Sequence, residues 1–336
     1  MPETYTGPGL VDLQVNGYAG FDFNSDPANW TPDILHRVRE AMSRRGVTAA
    51  LPTFITDDTD RMLARARRYA QTADQDAALA HAFPLLHIEG PFISPEDGPR
   101  GAHPRAYCLR PDAAPDWLDR FIEASGRRIG IITVAPELPG ALDFIEKAAS
   151  AGICAALGHT QASPDILAAA ISAGARMSTH LGNGSHLMLP RLNNYVQFQL
   201  AADALFAGFI ADGRHIPFFT LKNFLRAKPP SRSILVTDAT AAADAPPGVY
   251  CLGGQTLRVR EDGLVTGAFQ PESGFLAGSS LTLDRAVINV CAQCGIGFED
   301  AWKMASVIPA SVVGLPEPVK VSVIVSPQGF QCSLCR

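Results

Sequence analysis

The chain has 336 residues, 47% of them hydrophobic, and a formal net charge of −5. That is ample for one large core, because α/β barrels run to roughly 200–250 residues as a single domain. No basic run or stripe appears, which excludes a nucleic-acid surface. No apolar stretch approaches the ~18 residues of a membrane-spanning helix. The opening "MPETYTGPG" lacks the basic, then apolar, then small-residue order of a secretory signal. The expected location is therefore the cytoplasm.

In chain order, one pattern recurs: a β-branched or apolar run that stops abruptly at polar residues. The runs are "GLVDLQVN", "TAALPTF", "FPLLHIEG", "RIGIITVAPE", "GICAALGHT", "RMSTHLGN", "FAGFIADG" and "SILVTDAT". Near-continuous apolar strands are the signature of a buried parallel sheet. Helical patterns fall between most of them, among them "PDILHRVREAMSRRG", "DTDRMLARARRYAQ", "LPGALDFIEKAASAG" and "SPDILAAAISAGA". In the last, Ser163 is a candidate N-cap and Gly174 lies near the C-terminal end.

Eight strands alternating with helices predict a (β/α)₈ TIM barrel. A doubly wound open sheet is the alternative. The barrel is preferred because its strand ends converge on one mouth, whereas an open sheet spreads them along an edge. After the eighth run, "GVYCLGGQTLRVREDGLVTGAF" reads as short strands with a turn at Glu261-Asp262-Gly263. Helices return from about Ser280 to Val313. The expected division is a barrel of residues 8–245 and 276–314, with 246–275 as a small, reduced β-domain that residues 1–7 and 315–336 can join.

The seven cysteines include Cys108, Cys154 and Cys251, whose scatter suits reduced thiols. Cys291/Cys294 and Cys332/Cys335 form two CxxC pairs, a spacing used by zinc sites. Cys291 and Cys294, however, lie in "LTLDRAVINVCAQCG", an amphipathic helix ending at Gly295. There, residues three apart simply share a face, so a structural zinc is the weaker reading.

Four strand ends carry chemistry: Glu89 in "LLHIEGPF", His159 in "ALGHT", His180 in "STHLGN" and Asp238 in "LVTDAT". Alone, each is more often a hydrogen-bonded structural residue, and Asp238 reads equally well as a helix N-cap. Together, two histidines and a carboxylate at one face match a catalytic metal site with a position open for water. Such a metal lowers the pKa of bound water to about 7. Asp238 is then placed to take the water's proton and deliver it to a leaving amine. The donor set accepts one divalent ion, zinc first, with iron, manganese or cobalt as alternatives.

"PGLVDLQVNG", "HIEGPF", "GAHP", "LGHT", "THLGN", "ADGRH", "LVTDAT" and "AGSSLTLDRAV" run from about Gly7 to about Val313. In that order they resemble the N-acetylglucosamine-6-phosphate deacetylase family of the amidohydrolase superfamily. The resemblance implies a metal-bearing barrel that removes acetate from N-acetylglucosamine 6-phosphate. It implies that Glu89, His159 and His180 are metal ligands and that Asp238 is the general base and acid. It also implies that His103 faces the sugar and that Asn183 and the Gly184 backbone contact the phosphate end. His215 would hold the sugar or polarise the amide carbonyl. The family's phosphate site is often completed by an arginine from a second subunit of a homodimer, for which Arg191 is the nearest candidate by position.

The chain departs from that family at "HLGNGSHLMLPRLNNY", where phenylalanine or tyrosine followed by Asn-Ala-Met is usual. Phosphate specificity is the property this puts at issue. Two further readings are a related amidohydrolase acting on a non-phosphorylated or differently acylated amino sugar, and a non-catalytic sugar-phosphate-binding barrel. The chain starts almost at its first barrel strand. Its tail, "PEPVKVSVIVSPQGFQCSLCR", lacks the usual closing strands, although "VKVSVIVS" reads as one strand.

Many barrel amidohydrolases end their first strand in His-x-His, which binds a second metal. Here the position reads Gln14-x-Asn16. Amides are poor ligands for a borderline metal. The expectation is one metal, with Gln14 and Asn16 hydrogen-bonding its ligands or an ordered water.

Overall fold

The computed structural model describes residues 1–260, 263–267 and 276–334. All eight apolar runs are strands: β1 (Leu10–Val15), β2 (Val47–Ile55), β3 (Leu86–Glu89), β4 (Ile129–Val134), β5 (Cys154–Leu157), β6 (Met177–Ser178), β7 (Phe206–Ile210) and β8 (Ser233–Val236). Each pairs with the next in sequence to form one eight-stranded sheet. The ladders are parallel, and a parallel bridge from Val15 to Ala239, just beyond β8, brings the last strand back to the first. The result is a (β/α)₈ barrel. Every residue of β1, β4, β5 and β8 is buried, which is why these strands read as unbroken apolar runs.

The helices start where capping chemistry allows. Thr31 accepts from Ile34 N ahead of Pro32–Arg44, which turns Leu35, Val38 and Met42 inward. Asp58 caps Thr59–Gln75 by accepting from Asp60 N and Arg61 N. Ser163 caps Pro164–Ser172, as the sequence predicts. The returning helices span Leu283–Asn289, Phe298–Met304 and Val307–Val312. The first runs on through a wider turn to Cys294 and stops at Gly295, whose φ of 76° suits glycine. No helix among the described residues is long and apolar enough to cross a membrane.

Two three-stranded antiparallel sheets flank the barrel. Thr4–Pro8 pairs with Lys320–Ser326, the strand expected from "VKVSVIVS", which pairs in turn with Gly329–Leu334. This sheet adds Val321, Val323 and Phe330 to the barrel's core, where Phe330 stacks on Trp302. The second sheet is a meander of Gly248–Leu252, Gln255–Val259 and Val265–Gly267. Its Leu252, Leu257, Val259 and Val265 form a separate small cluster with Ile55, at the end of β2, and Ala277. Those contacts seat the meander at the barrel mouth. Glu261 and Asp262 of the expected turn, and Cys335 of the last CxxC, lie outside the described residues.

Candidate active site

Glu89 is the last residue of β3, while His159, His180 and Asp238 each lie two residues beyond β5, β6 and β8. Their strands run in parallel, so all four side chains arrive at the C-terminal face, where barrel chemistry is housed. They are between 2% and 9% exposed. His159, His180 and Asp238 have φ of 51°, 26° and 50°, in the left-handed region that side-chain-bearing residues avoid. Each such residue costs roughly 1–3 kcal/mol and persists only where the surroundings enforce it. Here the carbonyl of His159 accepts from Ser94 N, that of His180 from Asn183 N, and that of Asp238 from Ser279 N.

The ligand atoms converge. Glu89 Oε1 lies 3.3 Å from His159 Nε2 and 3.0 Å from His180 Nε2, and the two imidazole nitrogens are 3.1 Å apart. An ion bonded at about 2.0–2.1 Å holds neighbouring ligand atoms about 3.0–3.4 Å apart. The tautomer also fits. His159 Nδ1 donates to Pro99 O at 2.7 Å, which leaves a lone pair on its Nε2. That lone pair faces the Glu89 carboxylate at 3.3 Å and would repel it unless a cation lay between them, so the donor set suits a divalent metal. His103 widens the cluster, with Nε2 3.8 Å from Glu89 Oε2. Glu89, His103 and His159 also form a group of potential ligands within 4.8 Å of one another. The Glu89–His159–His180 set is the tighter of the two.

Burial pushes the Glu89 carboxyl up, but positive charge and donated hydrogen bonds from the His159 and His180 imidazoles in their protonated form outweigh it and hold the group well below the usual range. Asp238 behaves oppositely. Burial, reinforced by the charge on Glu89, pushes it up to about 6. Burial, with His159 nearby, pushes His103 down to about 3.

Gln14 and Asn16 sit beneath these groups. Gln14 Nε2 donates to Glu89 Oε1 at 2.8 Å and to Asp238 Oδ1 at 3.2 Å, and Asn16 Nδ2 donates to Asp238 Oδ1 at 2.7 Å. The two amides thus tie a carboxylate of the cluster to Asp238. Sequence reasoning passed over Asp12, two residues earlier on the same face of β1, although it too is buried and bonds the residue before Asp238. A carboxylate inside an apolar run was the available signal.

The cluster forms the floor of a cavity of about 280 Å³. His103, Asn183, Gly184 and His215 line it, together with Arg214 and Gln255. His103 Nδ1 bonds Thr56 Oγ1 at 2.9 Å. His215 Nδ1 donates to Asp212 Oδ2 at 2.6 Å. Asp212 had been given no role, although a carboxylate three residues before a histidine was visible in "DGRH". Gln255, on the meander, donates to Ala102 O at 3.0 Å and ties that sheet to the His103 loop. Arg191 is exposed and does not line the cavity of its own chain.

No protein-family model matches the chain. The N-acetylglucosamine-6-phosphate deacetylase of Lysinibacillus sphaericus is 31% identical over 304 residues, spanning 89% of this chain and 74% of that protein. The N-acetylgalactosamine-6-phosphate deacetylase of Escherichia coli O157:H7 is 32% identical over 309 residues, spanning 92% of this chain and 78% of that protein. The solved N-acetyl-D-glucosamine-6-phosphate deacetylase of Mycobacterium smegmatis, in complex with N-acetyl-D-glucosamine-6-phosphate, superposes with a TM-score of 0.84 at 27% identity. It covers 97% of this chain and 87% of that one. With relatives this similar over most of both lengths, and the barrel and strand-end cluster in place, the chain belongs to the N-acetylglucosamine-6-phosphate deacetylase family of the amidohydrolase superfamily and is an enzyme.

Proposed function

We propose that the protein hydrolyses N-acetylglucosamine 6-phosphate to glucosamine 6-phosphate and acetate, using one divalent metal held by Glu89, His159 and His180. The observation that carries this reading is the convergence of those three ligand atoms within 3.3 Å, beside the buried Asp238 carboxyl. When bound, the metal acidifies water and polarises the amide carbonyl. Asp238 takes a proton from the attacking water. A group with a pKa near neutrality can both accept that proton and return it. The return goes to the amine, which leaves poorly unless protonated. Gln14 and Asn16 hold Asp238 Oδ1, so its other oxygen is left to face the water. His215, oriented by Asp212, and His103, oriented by Thr56, address the sugar and its amide carbonyl.

Asn183 and the Gly184 backbone take the phosphate end. Arg191, exposed on its own chain, completes the partner's site in a homodimer. Zinc is the first choice of ion and the cytoplasm the proposed compartment. The barrel comprises residues 8–245 and 276–314, with 246–275 as the small β-domain that residues 1–7 and 315–336 can join. N-acetylgalactosamine 6-phosphate is a second candidate substrate, because two relatives at 32% identity carry that name.

The test is acetate release from both sugar phosphates by purified protein, with its metal content measured. Asp238→Asn should lower kcat by about 10²–10⁴-fold while retaining the metal, and chelation should abolish turnover. Metal-loaded protein that leaves both substrates intact, or an Asp238→Asn variant with wild-type kcat, would sink the reading.

A further inference from the structure

Asp12 is a carboxyl buried beneath the site, with no cation bonded to it among the described residues. It is 1% exposed, and the three hydrogen bonds it accepts from described residues come from neutral donors. Gln14 N and Thr237 N donate to Oδ1 at 3.3 and 3.2 Å, and the Thr237 hydroxyl donates to Oδ2 at 2.7 Å. Taking a carboxylate out of water is expensive, and an apolar residue in a barrel core would avoid the cost. What the carboxylate obtains in return is a grip on Thr237, which accounts for two of the three bonds.

Thr237 immediately precedes Asp238, whose left-handed backbone must be enforced by its neighbours. Thr237 Oγ1 also accepts from Ala239 N at 3.1 Å, and Thr237 O accepts from Ser279 Oγ at 2.6 Å. Asp238 O accepts from Ser279 N, and Ala239 O accepts from Asn16 N at 2.7 Å. The turn is therefore clamped from two sides: β1 through Asp12 and Asn16, and the segment at Ser279. Asp12 is the acidic member of that clamp: burial pushes its carboxyl up to about 7, against the bonds from Thr237 that draw it down.

We propose that Asp12 is a positioning residue for the proton-transferring group: through Thr237 it holds the 237–239 turn so that the Asp238 carboxylate stays aimed over the Glu89–His159–His180 cluster. The inference rests on the reading of Asp238 as the base. Asp12 does not line the cavity and bonds none of Glu89, His159 and His180. Its loss is expected to fall on the orientation of Asp238 first.

The experiment compares Asp12→Asn, Thr237→Val, Thr237→Ser and the double variant Asp12→Asn/Thr237→Val with wild type. Acetate release, metal content and thermal unfolding are measured, with Asp238→Asn alongside. Misplacing a reacting group by about 1 Å costs on the order of 10²-fold. Asp12→Asn and Thr237→Val should each lower kcat about 10- to 100-fold, with KM within about twofold and metal content unchanged. Thr237→Ser keeps the hydroxyl and should recover most of kcat. The double variant should be no slower than the slower single variant, because both break one clamp. Should Asp12→Asn fail to fold, Thr237→Val and its recovery in Thr237→Ser carry the test.

A folded Asp12→Asn protein with wild-type kcat overturns the proposal, as do effects that multiply in the double variant or that fall on KM alone. An Asp238→Asn variant that keeps wild-type activity overturns the reading of the base instead. An inactive Asp238→Asn beside a fully active Asp12→Asn overturns only the positioning role.

Discussion

Gly184→Ala tests how closely the loop after β6 packs against His159, one of the proposed metal ligands. Gly184 has φ of 56°, and a Cβ built there lies 2.8 Å from His159 Nδ1 and 3.0 Å from its Cε1. To restore an ordinary contact of 3.4 Å, the ring must retreat by about 0.6 Å. It cannot do so freely, because its Nδ1 is tied to Pro99 O at 2.7 Å. Either that bond lengthens or Nε2 leaves a cluster in which ligand atoms sit 3.0–3.3 Å apart. Sites of this kind tolerate about 0.5 Å of misplacement, and losing a partner bond behind a ligating histidine typically costs 10–100-fold in metal affinity or activity. The left-handed backbone adds about 1–2 kcal/mol of strain. Metal titration against a competing chelator should therefore show about 10–100-fold weaker binding, with activity restored at high metal. Gly101→Ala is the control. Its φ is 57°, but its Cβ lies 3.5 Å from His159 Cε1, so it incurs the strain without the displacement. If Gly184→Ala binds metal as tightly as Gly101→Ala does, the packing argument is refuted.

Gln14→Leu removes the amide donor shared by Glu89 and Asp238. Metal affinity should fall about 10–100-fold in the same titration, and unchanged affinity would show that Gln14 is mere filling. Asp22 gives a pH dependence to stability. Its carboxylate accepts from Asn24 N and Gly253 N, which ties the meander to the barrel, and burial pushes its pKa up to about 6 from 3.8. The folded state therefore holds the proton more tightly. The stabilisation is fully present below about pH 4 and is lost as pH rises through 6, by about 3 kcal/mol. Urea unfolding between pH 4 and 7 should show wild type losing ground to Asp22→Asn across that window. A flat difference curve would contradict the assignment.

The barrel was legible because buried parallel strands leave unbroken apolar runs, and "SILVTDAT" or "GICAALGHT" could hardly be anything else. Glu89, His159, His180 and Asp238 were legible because each stands at the polar end of such a run. The rest depends on distance along the chain. Nothing in "GLVDLQVN" shows that Asp12 meets Thr237, 225 residues away. Thr4–Pro8 has no strand periodicity, and it becomes a strand only by pairing with Lys320–Ser326. The run "RMSTHLGN" promised a long strand but yields Met177–Ser178 alone, because the backbone turns left-handed at His180.

Those turns explain why the strands stop where they do. An extended strand points alternate residues to opposite faces; Glu89 reaches the cluster from within its ladder, whereas the other three side chains reach it from turns beyond their strands. His159, His180 and Asp238 do this at positive φ, and hydrogen bonds to their carbonyls hold them there. The Gln14-x-Asn16 pair then governs charge. A second cation in that position would stabilise the Asp238 carboxylate and drive its pKa down. Two neutral amides hold Asp238 Oδ1 by hydrogen bonds alone. Amides in place of imidazoles at the end of β1 thus leave the Asp238 carboxyl fixed through one oxygen by neutral donors.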